Sequence, residues 1–189
     1  MAKPTLTRMI IVAAPSGAGK SSFVERICRE EPRLEDTVTF TTREMRRGES
    51  QGQPYHFVST EKFERLIEQN YFVEWARVHT SMYGTPLEQI ENAFKVGKCI
   101  IMDVDVQGAR TFKAKYSDAK SLFILPPTIE ELRRRLLKRD GAGAKDIDVR
   151  LKNAEKELLH ADEFDFQIVN DEFEASYLHF KKIVEDLLG

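Results

Sequence analysis

The 189-residue chain carries 29 Lys and Arg against 31 Asp and Glu, a formal charge of −2 at pH 7. With 41% hydrophobic and 32% charged residues it can bury the core of one compact domain, and it resembles neither a disordered nor a membrane-embedded chain. The near-neutral balance speaks against a strongly basic nucleic-acid binder, and the longest apolar run, MIIVAAP at 9–15, is too short to span a bilayer. Short apolar, strand-like runs at 9–14, 36–41, 56–58, 72–78, 99–104, 121–125 and 167–169 alternate with helix-like stretches, the pattern of an α/β domain around a largely parallel sheet. Lys3 and Arg8 precede the first run as in a secretory signal. That run leads directly into a Gly-Lys-Ser loop without a cleavage site, so a cytoplasmic address is expected. Cys28 and Cys99 have no CxxC spacing and read as small buried side chains, and the four histidines form no zinc pattern.

The stretch 37–85 interrupts the alternation with two or three short strands and a helix over about 60–70, enough for a small lobe inserted between the first helix and the second core strand. Thr85-Pro86-Leu87-Glu88 reads as a helix start with Thr85 as N-cap; Ile90, Ala93 and Phe94 then share a face, and Gly97 stops the helix. Thr128 and Glu131 repeat the capping pattern ahead of Leu132, Leu136 and Leu137. The charged, Gly-containing stretch 139–150 has the character of a lid. Tyr177, Phe180, Val184 and Leu187 mark the buried face of a last helix.

The chemistry begins at Ala14-Pro15-Ser16-Gly17-Ala18-Gly19-Lys20-Ser21, between the first strand and a helix that starts near Ser21. The spacing is that of a phosphate-binding loop, with Ala14 in place of the first Gly. Glycines let successive N–H groups converge on phosphate oxygens, and the helix N-terminus adds its positive end. Lys20 would place a charge on the β/γ-phosphates and the Ser21 hydroxyl would meet Mg²⁺, so the chain is expected to bind a nucleoside triphosphate. Asp103, closing the apolar run CIIMD, has the form of the carboxylate that supports that magnesium. Thr41-Thr42-Arg43-Glu44-Met45-Arg46-Arg47-Gly48-Glu49 gathers three arginines whose forks suit a second phosphate, although composition alone favours a solvated charge run.

These segments, together with Tyr55 and Phe57, VEWA at 73–76, YGT at 83–85, DVDVQG at 103–108, FILPP at 123–127, the arginine-rich lid and IVND at 168–171, resemble the guanylate kinases over nearly the whole chain. The resemblance implies a P-loop NTPase core at about 1–36 and 86–189 with a parallel sheet flanked by helices, a GMP-binding lobe at about 37–85 and a lid at about 139–150. It places GMP-phosphate contacts on Arg43, Arg46, Tyr55 and Tyr83, and guanine contacts on Thr39, Glu74, Thr85 and Asp105. Guanine's Watson–Crick edge presents N1–H and N2–H₂ donors, which suit the acceptor-only carboxylates of Glu74 and Asp105 independently of the resemblance. Thr39 and Thr85 stand where Ser is usual and keep the hydroxyl. The implied lid arginines are Arg135, Arg139 and Arg150, with Asp140 where the family usually has Gly. Asn170 falls near the adenine, whereas Arg133, Arg134 and Lys138 read as solvated charge.

The implied reaction is transfer of the γ-phosphoryl group of ATP to GMP or dGMP, giving ADP and GDP, with Mg²⁺ bound alongside ATP. It needs no catalytic base, because a phosphate monoester is mostly dianionic above its second pKa of about 6. The absence of a His or Cys nucleophile constellation fits that chemistry. Two other readings compete: a phosphokinase acting on a ribose bisphosphate, which would not need the two carboxylates, and a catalytically inert phosphoprotein-binding module. Gly19-Lys20-Ser21 and the lack of attached SH3- or PDZ-like segments speak against the second.

Overall fold

A computed structural model describes residues 7–189 except 47, 54, 79 and 141–146, and not the side chains of Val78, Arg139 and Asp140. The arginine of the motif at 47 and the middle of the 139–150 stretch therefore lie outside the described residues. The first strand, β1 (Met9–Ala13), is buried throughout. A strand covered on both faces has no polar side to alternate with, which is why its sequence is an unbroken apolar run. It lies in the middle of a five-stranded parallel sheet, ordered β2 (Leu34–Asp36), β7 (Cys99–Val104), β1, β8 (Lys120–Leu125), β9 (Phe166–Val169).

Side chains alternate across this sheet. Ile10, Val12, Ile101, Leu122 and Ile124 face a layer made by α1 (Lys20–Glu30), α5 (Ile129–Asp140), α6 (Ile147–Leu158) and α7 (Phe173–Leu188). Met9, Ile11, Ile100 and Met102 face α3 (Leu87–Lys95) and α4 (Val106–Lys115). Each fully buried aliphatic side chain contributes roughly 1.5–3 kcal/mol, so this sandwich holds the loops at the strand ends rigidly. In α7 the buried face runs through Tyr177, Phe180, Val184 and Leu188, with Leu187 only partly covered.

A second, four-stranded sheet is ordered β4 (His56–Phe57), β3 (Phe40–Thr41), β6 (Ser81–Pro86), β5 (Phe72–Val78), and α2 (Thr60–Glu68) covers it. Phe63 of α2 is fully buried and stacks on Phe72 at 4.7 Å. The expected strand at 36–41 is two strands in different sheets. Asp36 Oδ1 accepts from Thr37 N at 2.8 Å and the Gln89 side chain takes Val38 N at 2.8 Å, so the backbone leaves the first sheet there. The lobe also carries a strand, β6, that runs into the segment expected to start a helix. Thr85 is not an N-cap: its hydroxyl donates to Glu74 Oε1 at 3.1 Å within the β5–β6 hairpin, and Pro86 takes the cap position of α3. At α5 only half of the capping box forms. Thr128 Oγ1 accepts from Glu131 N at 3.0 Å, while the Glu131 carboxylate turns to Arg134 and Arg135.

Candidate active site

The loop 14–21 runs from the end of β1 into α1, whose N-cap, Gly19, has φ +100°. Gly17 also has a positive φ, and a Cβ there would meet Leu136 at 2.8 Å. The turn is closed by Ala18 N donating to Pro15 O at 3.0 Å and is clasped from β9's exit by Asn170, whose Nδ2 donates to Ala18 O at 2.8 Å. Ala14, Pro15 and Ala18 are buried, and Ser16 is exposed, its Oγ accepting from Arg150 at 2.6 Å.

Parallel pairing sets Val12 beside Asp103, so the loop leaving β1 meets the end of β7. There Ser21 Oγ donates to Asp103 Oδ2 at 2.7 Å, and Lys20 Nζ donates to Val104 O at 3.1 Å while lying 3.9 Å from Asp103. Asp36, at the end of β2, is exposed, though its carboxyl sits against protein on the Asp103 side. Burial and then the Asp103 charge push its carboxyl up to about 7. One residue beyond Val104, Asp105 caps α4, its Oδ1 accepting from Gly108 N at 2.7 Å. The backbone run Asp103-Val104-Asp105 thus serves the phosphate loop at one end and the second sheet at the other.

On that second side, Glu74 of β5 is half-buried, and burial raises its carboxyl above the usual carboxylate range, with the Asp105 charge acting in the same direction and the Thr85 hydroxyl opposing it. Arg43 forks onto Glu49 at 2.8 and 3.0 Å, with Tyr55 and Phe57 rings each 5.4 Å from its guanidinium. The rings of Tyr55 and Tyr83 meet edge to face at 5.8 Å, and burial followed by Asp103 pushes the Tyr55 hydroxyl to about 12. Arg46 joins this group through its backbone, its N–H donating to the Glu49 carboxylate at 2.7 Å and its carbonyl accepting from Glu49 N at 3.1 Å; its residue is exposed. Thr39 precedes β3, its carbonyl accepting from His56 N at 2.9 Å.

A cavity of about 340 Å³ beside the loop is lined by Gly17, Gly19, Glu131, Arg135, Asn170 and Phe173, together with Arg134 and Lys138. Arg135 is held by Glu131 at 2.8 Å and by the Asn170 carbonyl at 3.0 Å. Arg139 ends α5, and its side chain lies outside the described residues. Arg134 and Lys138 are exposed, as expected of solvated charge, and they also border this cavity because 131, 134, 135 and 138 share one helical face. Glu49 was also passed over, although it holds Arg43 and the Arg46 backbone at once; its place six residues after Arg43 in a Gly-containing loop is the only hint of that clasp.

A guanylate kinase family model matches residues 6–187. The chain belongs to the guanylate kinase family. A guanylate kinase of Bdellovibrio bacteriovorus is 62% identical over 97% of this chain and 99% of its own length, and one of Sodalis glossinidius is 44% identical over 93% and 86%. Among solved structures, a guanylate kinase from Anaplasma phagocytophilum superposes with a TM-score of 0.77 at 30% identity, covering 97% of this chain and 86% of that one. A shikimate kinase from Bacteroides thetaiotaomicron, TM-score 0.50 at 13% identity over 94% of this chain and 98% of that one, shares the fold. The family phosphorylates GMP using ATP.

Proposed function

We propose that this chain transfers the γ-phosphoryl group of ATP to GMP, with 14–21 as the donor-phosphate loop and Glu74, Thr85 and Asp105, with Thr39, reading guanine. The observation that carries this is the run Asp103-Val104-Asp105. Its first two residues engage Ser21 and Lys20, and its third caps α4 while its charge reaches Glu74 of the second sheet, so one strand end lies between the donor loop and the acceptor lobe. Residues 37–85 act as the acceptor lobe, the flanking segments as the core, and 139–150 as the lid bringing Arg139 and Arg150. Arg43, Arg46, Tyr55 and Tyr83 take the acceptor phosphate, and Asn170 with Arg135 borders the donor nucleoside; the buried Asn170 Oδ1 has no partner among the described residues and offers a free acceptor.

Ser21 and Asp103 fit a hard cation, since they present a hydroxyl and a carboxylate oxygen 2.7 Å apart beside the phosphate loop. Bound there with ATP, Mg²⁺ neutralises charge on the β/γ-phosphates. The chain's own residues do the remaining work by positioning and charge. Lys20 leaves the Val104 carbonyl for phosphate oxygens, and Arg43 exchanges the Glu49 carboxylate for the acceptor phosphate. The arginines close around the transferring group and exclude water, which would otherwise be the acceptor. Within a guanine-reading pair, adenine's N1 lone pair would face a carboxylate with no proton between them. Two free thiols, both pushed up to about 12 by burial, suit a reducing cytoplasm, and among the described residues no helix is long and apolar enough to cross a membrane. Incubation with γ-labelled ATP and GMP tests the transfer: labelled GDP should form in step with ADP. Unlabelled GMP alongside free labelled phosphate would identify water as the acceptor and overturn the reading.

A further inference from the structure

The acceptor lobe is fastened to the core at Val73. In β5 the pairing with β6 slips between Phe72, opposite Pro86, and Glu74, opposite Thr85, so Val73 is the extra residue of a bulge. Its side chain, 6% exposed, enters the cluster of Met9, Ile11, Ile90 and Phe112 under the core sheet, and it is the one residue of 37–85 in the buried part of that cluster among the described residues. Its carbonyl accepts from the Lys115 ammonium. Lys115 is the last residue of α4, and Asp105 is that helix's N-cap. One helix, about 15 Å long for its ten residues, therefore carries a carboxylate of the base-reading pair at its start. At its end it carries the ammonium that grips the residue next to the other carboxylate. The same ammonium also favours the ionised form of Glu74, against the effects of burial and of Asp105.

We infer that Lys115 is a positioning and specificity residue of the acceptor site. By holding the Val73 carbonyl to α4 it fixes Glu74 relative to Asp105, and so sets how strictly the site demands a purine with both an N1–H and an exocyclic N2 amine. A bulge re-aims the side chain beside it, and Glu74 is that side chain. Left unheld, the bulge leaves the two carboxylates at a variable separation, and the contact to the N2 amine, which needs both carboxylates in register along the Watson–Crick edge, is the first to weaken. The inference rests on Glu74 and Asp105 reading guanine.

The test compares Lys115→Met, which keeps the apolar stem, with Lys115→Arg, which keeps a donor and the charge, and runs Glu74→Gln in parallel. Steady-state rates with GMP and with inosine monophosphate, which lacks the N2 amine, are measured for each, along with KM for ATP and thermal stability. Lys115→Met should raise KM for GMP about fivefold, as expected for losing one partly exposed, charge-assisted hydrogen bond. It should also lower the GMP-to-IMP ratio of kcat/KM and leave KM for ATP unchanged, and Lys115→Arg should restore the ratio. An unchanged ratio in Lys115→Met, or an equal loss for both acceptors and ATP, overturns the inference. If Glu74→Gln lowers the ratio while Lys115→Met does not, only the role of Lys115 fails. If neither substitution moves it, the base-reading pair itself is wrong.

Discussion

Gly19→Ala perturbs the phosphate loop in two separable ways. The residue has φ +100° in the left-handed region, where an L side chain costs roughly 1–2 kcal/mol. A Cβ there would also lie 2.7 Å from Asn170 Nδ2. That amide cannot simply retreat, because Asn170 is 4% exposed and donates to Ala18 O at 2.8 Å. Displacing it sacrifices a neutral hydrogen bond of about 1 kcal/mol, for a total of about 2–3 kcal/mol. Gly97 supplies the control: it has φ +75° with nothing within 4 Å of an added Cβ, so Gly97→Ala should show the backbone cost alone. Urea unfolding without nucleotides should place Gly19→Ala about 1 kcal/mol below Gly97→Ala. A cycle with Asn170→Ala should recover a coupling of about that size. In kinetics, KM for ATP should rise at least tenfold with KM for GMP unmoved, since the displaced N–H groups serve only the donor. Equal stabilities for the two alanine variants and no coupling to Asn170 would refute the contact on which this rests.

Lys20→Ala should cost about 3 kcal/mol of transition-state stabilisation, roughly a hundredfold in kcat/KM, with little loss of stability. A folded variant within a few-fold of wild type would contradict the phosphate-loop assignment. Glu74→Gln should weaken GMP about tenfold or more, because the amide can turn a donor toward guanine's own donors, and should leave KM for ATP alone. Burial holds the Glu74 carboxyl above the usual range, so as pH falls its neutral form, with one acceptor fewer, appears earlier than for an ordinary carboxyl. KM for GMP should therefore rise toward acid pH more steeply than protonation of the GMP phosphate alone accounts for, and Glu74→Gln should remove that excess; an excess that persists assigns it elsewhere. Cys28 and Cys99, pushed up to about 12, should react with a thiol reagent at pH 8 far more slowly in the native protein than in urea; equal rates would show that the thiols are not sheltered.

The parts of the fold that the sequence displayed are those governed by local pattern. β1, and β7 as far as Met102, are apolar runs because both faces are covered there, and α7 shows its buried stripe at helical spacing. The lobe was less legible because its elements are short and decided by long-range partners. Asp36 through Thr41 has the composition of one strand, yet Gln89, fifty-one residues away, takes the Val38 N–H and the segment divides between two sheets. Thr85 has every local mark of an N-cap, and only Glu74 across the hairpin explains why its hydroxyl is used otherwise. In the site, the loop 14–21 announces itself because its chemistry is local. The clasp of Arg43 by Glu49 and the grip of Lys115 on Val73 depend on how the chain returns on itself; the first is hinted at only by the loop spacing, and residue types alone carry no trace of the second.

The central claim is that a strand end joins a loop that binds the donor's phosphates to a carboxylate pair built for guanine. It is tested most directly by ADP release from ATP with GMP, AMP or no acceptor, at matched concentrations. Sites that pair with polar edges reject the wrong partner strongly, so kcat/KM for GMP should exceed that for AMP by about 10⁴ or more, with only trace turnover when no acceptor is present. Comparable turnover with AMP, or release that does not depend on an acceptor, would contradict the account.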